Sequence, residues 1–111
     1  MKIVSMATRK IFEQRKTDKK ILKESYLEYN PIENVDGFIE KSETLFPKLN
    51  CGLASVYLKK MLGVGDIVKG SYENQKHTFL LVNKKVVVDI TADQFGGPEV
   101  YVGSLISPWS L

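Results

Sequence analysis

Three side chains in this sequence together have the chemistry of an activated thiol: Cys51, His77 and Asp89. A thiolate attacks carbonyl carbon, an imidazole moves the proton, and a carboxylate orients the imidazole. Taken singly, each has a plain structural role. A lone cysteine is commonly an inert core thiol. A histidine opening a strand or an aspartate closing one serves as ordinary scaffolding. Their joint placement favours catalysis. Cys51 follows Asn50, a good helix N-cap residue, so the thiol sits in a first helical turn. There the unpaired N–H groups and the positive dipole end favour thiolate. Those N–H groups also suit a tetrahedral oxyanion. Gly52 leaves room for a substrate to approach the backbone.

Strand parity tests the other two residues. If residues 83–85 form a three-residue loop, Val82 faces Val86 and Phe79 faces Asp89. His77 and Asp89 are then diagonal neighbours on one face, within side-chain reach. A two-residue loop would place them on opposite faces.

The elements that must position these residues read as helices first and strands afterwards. Ile21, Leu22, Ser25, Tyr26 and Tyr29 recur at helical spacing, and Asn30-Pro31 stops that helix. Val35, Phe38, Ile39, Ser42, Leu45 and Phe46 mark a second helix, closed by Pro47. Cys51, Ala54, Ser55, Leu58, Met61 and Leu62 share the face of a third, with Gly63 as its stop. The period then changes to two. Asp66 to Tyr72, His77 to Val82 and Val86 to Ile90 read as strands, with a turn over residues 73–76. Gly96-Gly97-Pro98 breaks the chain, and residues 99–102 add a short strand. Trp109 is expected to pack back on the sheet. This order predicts an α+β fold in one domain over residues 1–111.

Composition narrows the function. The chain has 111 residues, 43% hydrophobic and 26% charged, the profile of one globular domain. One cysteine and one histidine exclude an internal disulfide framework, a cysteine-rich zinc site and a multi-histidine metal site. No run is long and apolar enough to span a bilayer, and residues 1–10 lack the apolar core of a Sec signal. The expected location is therefore cytoplasmic or reached by a non-Sec route. Residues 1–24 hold eight Lys or Arg against three acids. Residues 1–12 show no firm period and 13–20 are all polar, so 1–20 are expected to form a loosely ordered basic arm. It has no aromatic between Glu13 and Lys20 to stack a base, which argues against nucleic acid.

Three segments carry a family resemblance: Asn50-Cys51-Gly52-Leu53-Ala54-Ser55, His77-Thr78-Phe79-Leu80-Leu81-Val82, and Val88-Asp89-Ile90-Thr91-Ala92-Asp93-Gln94-Phe95. They resemble the papain-like and transglutaminase-like cysteine enzymes, nearest to small bacterial papain-fold toxin and effector domains, some of them glutamine deamidases. The resemblance spans roughly residues 50–95. It implies N-terminal helices and a nucleophile-bearing helix packed on a small antiparallel sheet that presents the histidine and the acid. Cys51 is then the nucleophile, His77 the general base and Asp89 its orienter. It also implies no cofactor, no metal, a protein substrate, and a cognate inhibitor or immunity protein as a further partner.

The chain departs from papain proteases in two ways. They carry a glutamine shortly before the cysteine as an oxyanion donor, and residues 45–49 hold none. They also have a long insertion between Cys and His, where this chain has a 26-residue separation. Asn50, Gly52 and Gln94 are the remaining oxyanion or substrate-binding candidates. Asn50 is expected to be occupied as the helix cap, and Thr91 and Asp93 are expected to satisfy the turn after the strand. The resulting expectation is a cysteine amidohydrolase or acyl-transfer enzyme acting on a protein amide, as a deamidase or transglutaminase. The alternatives are a narrow-specificity cysteine peptidase and a non-catalytic interaction domain with a basic N-terminal region.

Overall fold

A computed structural model describes residues 1–48 and 50–111. Four helices come first: α1 (Lys2–Glu13), α2 (Lys19–Tyr29), α3 (Val35–Leu45) and α4 (Cys51–Leu62). Strands β1 (Asp66–Tyr72), β2 (Gln75–Val82), β3 (Val86–Asp89), β4 (Tyr101–Ser104) and β5 (Trp109–Ser110) follow. They form one antiparallel sheet in the order β4-β3-β2-β1-β5. The fold is α+β. Among the described residues no helix is long and apolar enough to cross a membrane.

Alternation along the strands divides the interior. Leu80, Val82, Val88 and Ile90 turn to the helices and pack with Leu53, Leu58 and Leu22. Phe79, Leu81 and Val87 turn the other way and pack with Tyr72, Ala92 and Trp109. Each β2 residue thus has an assigned face, as period-two side chains require. Gly63 ends α4 in the left-handed conformation, at φ 76°.

The β2–β3 register is the one that the three-residue loop requires. Val82 pairs with Val86, Leu81 with Val87 and Leu80 with Val88. Asn83 and Lys84 take positive φ, at 52° and 59°, and reverse the chain. Other boundaries move. β2 begins at Gln75, so the preceding turn is only Glu73-Asn74, both at positive φ. β4 begins at Tyr101 rather than 99. Trp109 packs back on the sheet, as expected, and also pairs as a strand residue opposite Tyr72.

The largest correction concerns residues 1–20. The expected basic arm is a helix, a short turn and the start of α2. Ser5, Thr8, Arg9 and Phe12 form its buried face, while Ile3 and Met6 are exposed. The hydrophobic pattern is inverted, which is why the period was invisible. Ser5 and Thr8 hydroxyls are satisfied within the helix, donating to Met1 O at 2.7 Å and Val4 O at 2.8 Å. Asp18 caps α2 by accepting from the N–H groups of Lys20 and Ile21.

Arg9 is not a solvated cation. Its guanidinium donates to both Asp93 carboxylate oxygens, at 2.7 and 2.8 Å, and to Ile90 O at 2.7 Å. It also lies over the Phe46 ring, 4.6 Å from the centroid. Asp93 therefore clamps α1 rather than merely completing the turn after β3. Arg9→Ala should destabilise the protein by about 3 kcal/mol, because the partly buried Asp93 loses its partner. Arg9→Lys should recover only part, since an ammonium cannot form the two-pronged bond. Urea unfolding of both variants checks this; an unchanged midpoint in Arg9→Ala would contradict the clamp.

Candidate active site

Cys51 is the first residue of α4 and is half-buried. Two features of the fold bring it to His77. First, the β2–β3 ladder covers only Leu80 to Val82, so Thr78 has no strand partner on that side. Second, α4 fills the gap. Ser55 Oγ donates to Thr78 O at 3.3 Å, and the backbone and side chain of Thr78 are among the groups that lower the Cys51 thiol. The thiol thus occupies the edge of β2 that β3 has vacated, next to His77.

His77 and Asp89 share the opposite face from the helical core and are both almost fully buried. His77 Nε2 and Asp89 Oδ2 are 2.7 Å apart. Nδ1 is buried with no hydrogen-bond partner among the described residues, and the nearby Cys51 is one of the groups that raise the imidazolium. The carboxylate is itself held on both oxygens. Trp109 Nε1 donates to Oδ2 at 2.8 Å, and the Thr91 N–H donates to Oδ1 at 2.9 Å. Thr91 plays the turn role expected of it. Trp109 does more than pack: its indole fixes the acid.

An aromatic wall keeps water from the imidazole. Phe95 meets His77 edge-on at 5.1 Å, and Tyr72 does so at 6.3 Å. Tyr72 in turn stacks on Phe95 at 5.6 Å.

These surroundings set the protonation states. Burial pushes the Cys51 thiol up, but bonding to His77 and to the Thr78 N–H outweighs it and leaves the thiol below its ordinary value. Burial pushes the His77 imidazolium down. The bonds to Asp89 and Cys51 reverse that, raising it from 6.5 to about 9. The two shifts share one cause: each group favours the charged form of the other, between Asp89 and the α4 N-terminus.

A pH signature follows from their signs. A raised His77 stabilises the fold fully below about 6.5, and that contribution is lost as pH rises through about 9. A lowered Cys51 acts oppositely: its contribution is present above the unfolded thiol value and is lost as pH falls through the folded one. The two contributions oppose one another as pH rises between 6.5 and about 9. In Cys51→Ala the opposing one is gone while Asp89 still raises His77, so stability should fall more steeply with rising pH than in the native chain. Equal slopes in the two proteins, from urea titrations, would contradict the opposed shifts.

Of the oxyanion candidates, Asn50 is placed differently from expectation. It is fully buried, and its Nδ2 donates to Ser42 O at 2.8 Å instead of its side chain capping α4. One hydrogen bond of its amide nitrogen thereby goes to α3, while its Oδ1 is buried with no hydrogen-bond partner among the described residues. The first turn of α4 consequently has no side-chain cap, which leaves its N–H groups open beside the thiol. Gly52 contributes one of them. A Cβ on Gly52 would lie 3.5 Å from Tyr26 and 3.9 Å from Tyr29, so these rings flank the approach. Gln94 sits in the 3-10 turn Ala92–Phe95, next to the Phe95 that covers His77. Its Nε2 is buried and donates to nothing among the described residues.

The fold sets the side chains of His77 and Asp89 against each other and places Cys51 at the start of the helix beside them. The contacts of Thr78 and Arg9 and the hydrogen bond from Trp109 are not marked in the sequence. The early end of the β2–β3 ladder, which exposes Thr78, leaves no mark in composition. Compared with family models, curated proteins and solved structures, the chain matches none.

Proposed function

We propose that this protein is a cysteine-dependent amidohydrolase or acyl-transfer enzyme with a papain-like or transglutaminase-like core, acting on a glutamine side-chain amide of a protein substrate. The observation that carries the reading is the buried His77–Asp89 pair set against the half-buried thiol at an uncapped helix start.

The Cys51 thiolate attacks the amide carbon. The oxyanion is received by the open N–H groups of the α4 first turn, with the Gln94 amide as a second candidate donor. His77, protonated in the resting pair, gives its proton to the departing nitrogen, and ammonia leaves. A thioester remains on Cys51. Neutral His77 then takes a proton from water or an amine as that nucleophile attacks the thioester, and Cys51 is released as thiolate. Asp89 holds the ring in register throughout, and Trp109 and Thr91 hold Asp89. The cycle uses only groups of this chain.

The short separation of Cys51 and His77 favours a projecting side chain over a long main-chain substrate. It contains little beyond α4 and β1, too little to build two walls of a deep peptide cleft. Binding energy to orient a main-chain amide is correspondingly scarce. A bacterial toxin or effector role, with a cognate inhibitor, belongs to this same reading. Ammonia release, or incorporation of a labelled amine, should exceed cleavage of casein-derived peptides when folded proteins of a bacterial or host lysate are offered. Cys51→Ala should abolish both. Efficient cleavage of unstructured peptides with no ammonia released would make the protein a peptidase.

A further inference from the structure

From Asn50 to Leu58 only Cys51 and Gly52 reach solvent; the other residues are buried. A Cβ on Gly52 would lie 3.9 Å from the half-buried Tyr29 ring. The Lys69 ammonium stands over that ring, 5.5 Å from its centroid. Accessible surface therefore leads from the thiol across Gly52 and Tyr29 to Lys69. A groove of about 610 Å³ along α2 and α4 includes the same tyrosine. Its rim carries both signs, Lys59 and Lys60 against Glu28 and Asp66, and selects neither.

The β1–β2 register adds a second lysine. Lys69 pairs with Thr78, and Ser71 with Lys76. Partners across a ladder share a face of the sheet, as do residues two apart on one strand. Ile67 and Leu80 turn to the helices, so Lys69, Thr78 and Lys76 do too. The two lysines thus flank Thr78, whose backbone and side chain help to lower the Cys51 thiol. Diagonal neighbours of this kind stand about 7–8 Å apart, and like charges on neighbouring strands repel. Lys69 and Lys76 are exposed, and neither forms an ion pair among the described residues, whereas Lys19 and Lys23 each have a carboxylate. Asp89 does not serve them. It lies buried on the opposite face, with its oxygens given to His77, Trp109 and Thr91. Together with the positive end of α4, the pair places charge beside Cys51 that no ion pair offsets.

We infer that Lys69 and Lys76 select the substrate: the glutamine delivered to Cys51 is one with an acidic side chain close beside it, whose carboxylate these two ammonium groups receive. Lys69 lies one ladder pair from Thr78, a step of about 5 Å. The carboxylate therefore belongs two residues from the glutamine in an extended segment, at about 3.3 Å per residue, or one turn away on a helix, at about 5.4 Å. The lysines determine specificity and touch no reacting atom. This inference rests on the thiol reading above and adds the charge of the substrate to it.

The test uses peptides in which a chloromethyl ketone replaces the glutamine carboxamide. Cys51 sulfur forms a bond to the methylene carbon and chloride leaves, so intact mass reports the labelling rate without an identified substrate. Three peptides differ only in the residue two positions from the surrogate: Asp, Asn or Lys. In the native chain at low salt the Asp peptide should label at least about fivefold faster than the Lys peptide, with Asn between them, and high salt should shrink the spread. The double variant Lys69→Glu with Lys76→Glu should invert the order. Lys59→Glu with Lys60→Glu makes the same change of net charge farther along α4 and should leave the order as it is. Iodoacetate and iodoacetamide give a second reading. They share a leaving group and differ in charge, so the ratio of their rates cancels the thiolate fraction. That ratio should drop at least about fivefold in the first variant and stay near native in the second. Equal peptide rates in the native chain, which need no variant, would overturn the acid selection and leave the enzyme reading standing. An order that survives in Lys69→Glu with Lys76→Glu, or that inverts equally in the control, would also overturn it. Slow iodoacetamide labelling of the folded native chain would overturn both readings together.

Discussion

Asp89→Asn should destabilise the fold by about 3 kcal/mol or more, and should lower turnover further than that loss explains. Both oxygens of Asp89 accept hydrogen bonds from buried donors: Trp109 Nε1 and His77 on Oδ2, and the Thr91 N–H on Oδ1. An asparagine must present its NH2 group to one of these sides. In one orientation it opposes the indole and the imidazole. In the other it opposes the Thr91 N–H. Either way a buried donor is unsatisfied, and the His77 charge loses its counter-ion. The imidazolium should then lie well below its present value of about 9, so the pair with Cys51 no longer forms near neutral pH. Trp109→Phe, which removes one donor to Asp89 Oδ2 and leaves the carboxylate and its bonds to His77 and Thr91 intact, should cost much less. Urea unfolding and calorimetry measure the first effect, and ammonia release measures the second. An Asp89→Asn protein as stable and active as the native chain would show that the buried network has no role.

The second large effect belongs to His77. His77→Asn removes the proton donor for the leaving nitrogen and the cation that holds the thiolate. Loss of general acid–base catalysis alone is worth roughly 10²–10⁴ in rate. The thiol adds to it. Without the imidazolium, burial, which pushes the thiol up, is left opposed only by the backbone and side chain of Thr78. Turnover near neutral pH should fall by at least about 10³. Raising the pH should recover part of it, because the thiolate returns while the missing acid does not. The buried Asp89 carboxylate loses its counter-ion but keeps the Trp109 and Thr91 donors, so the variant should be destabilised and its turnover is to be compared where urea unfolding shows it folded. A variant within tenfold of native turnover would exclude His77 from the chemistry.

How much of this was legible beforehand differs from element to element. The helix starting at Cys51 and ending at Gly63 is marked at both ends and by its apolar face, and it lies where expected. The strand register was open between two loop lengths, and the sequence states which one makes a triad. Asn83 and Lys84 adopt the positive φ values that close the three-residue loop. By contrast, α1 was hidden because tertiary contacts override hydrophobic pattern there. Arg9 is buried for its ion pair with Asp93, 84 residues away, and Ser5 and Thr8 are buried beside it. No local window contains that information. Asn50 illustrates a similar competition. Its type suits a cap, but Ser42 O claims its amide, and an open helix start results. The apparent loss of a cap is what leaves the N–H groups available next to the thiol.

A Cys51 thiolate held by His77 in the folded protein must show in the reactivity of the sulfur. The rate of Cys51 alkylation by iodoacetamide against pH, in the native chain and in His77→Asn, tests it most directly. The account requires the native profile to inflect below the ordinary thiol value of about 8.5, so that labelling is already fast at pH 7. It also requires the inflection to move up in His77→Asn, slowing labelling at pH 7 by at least about tenfold. Identical profiles in the two proteins, or a native Cys51 that is labelled only after urea unfolds the chain, would contradict it.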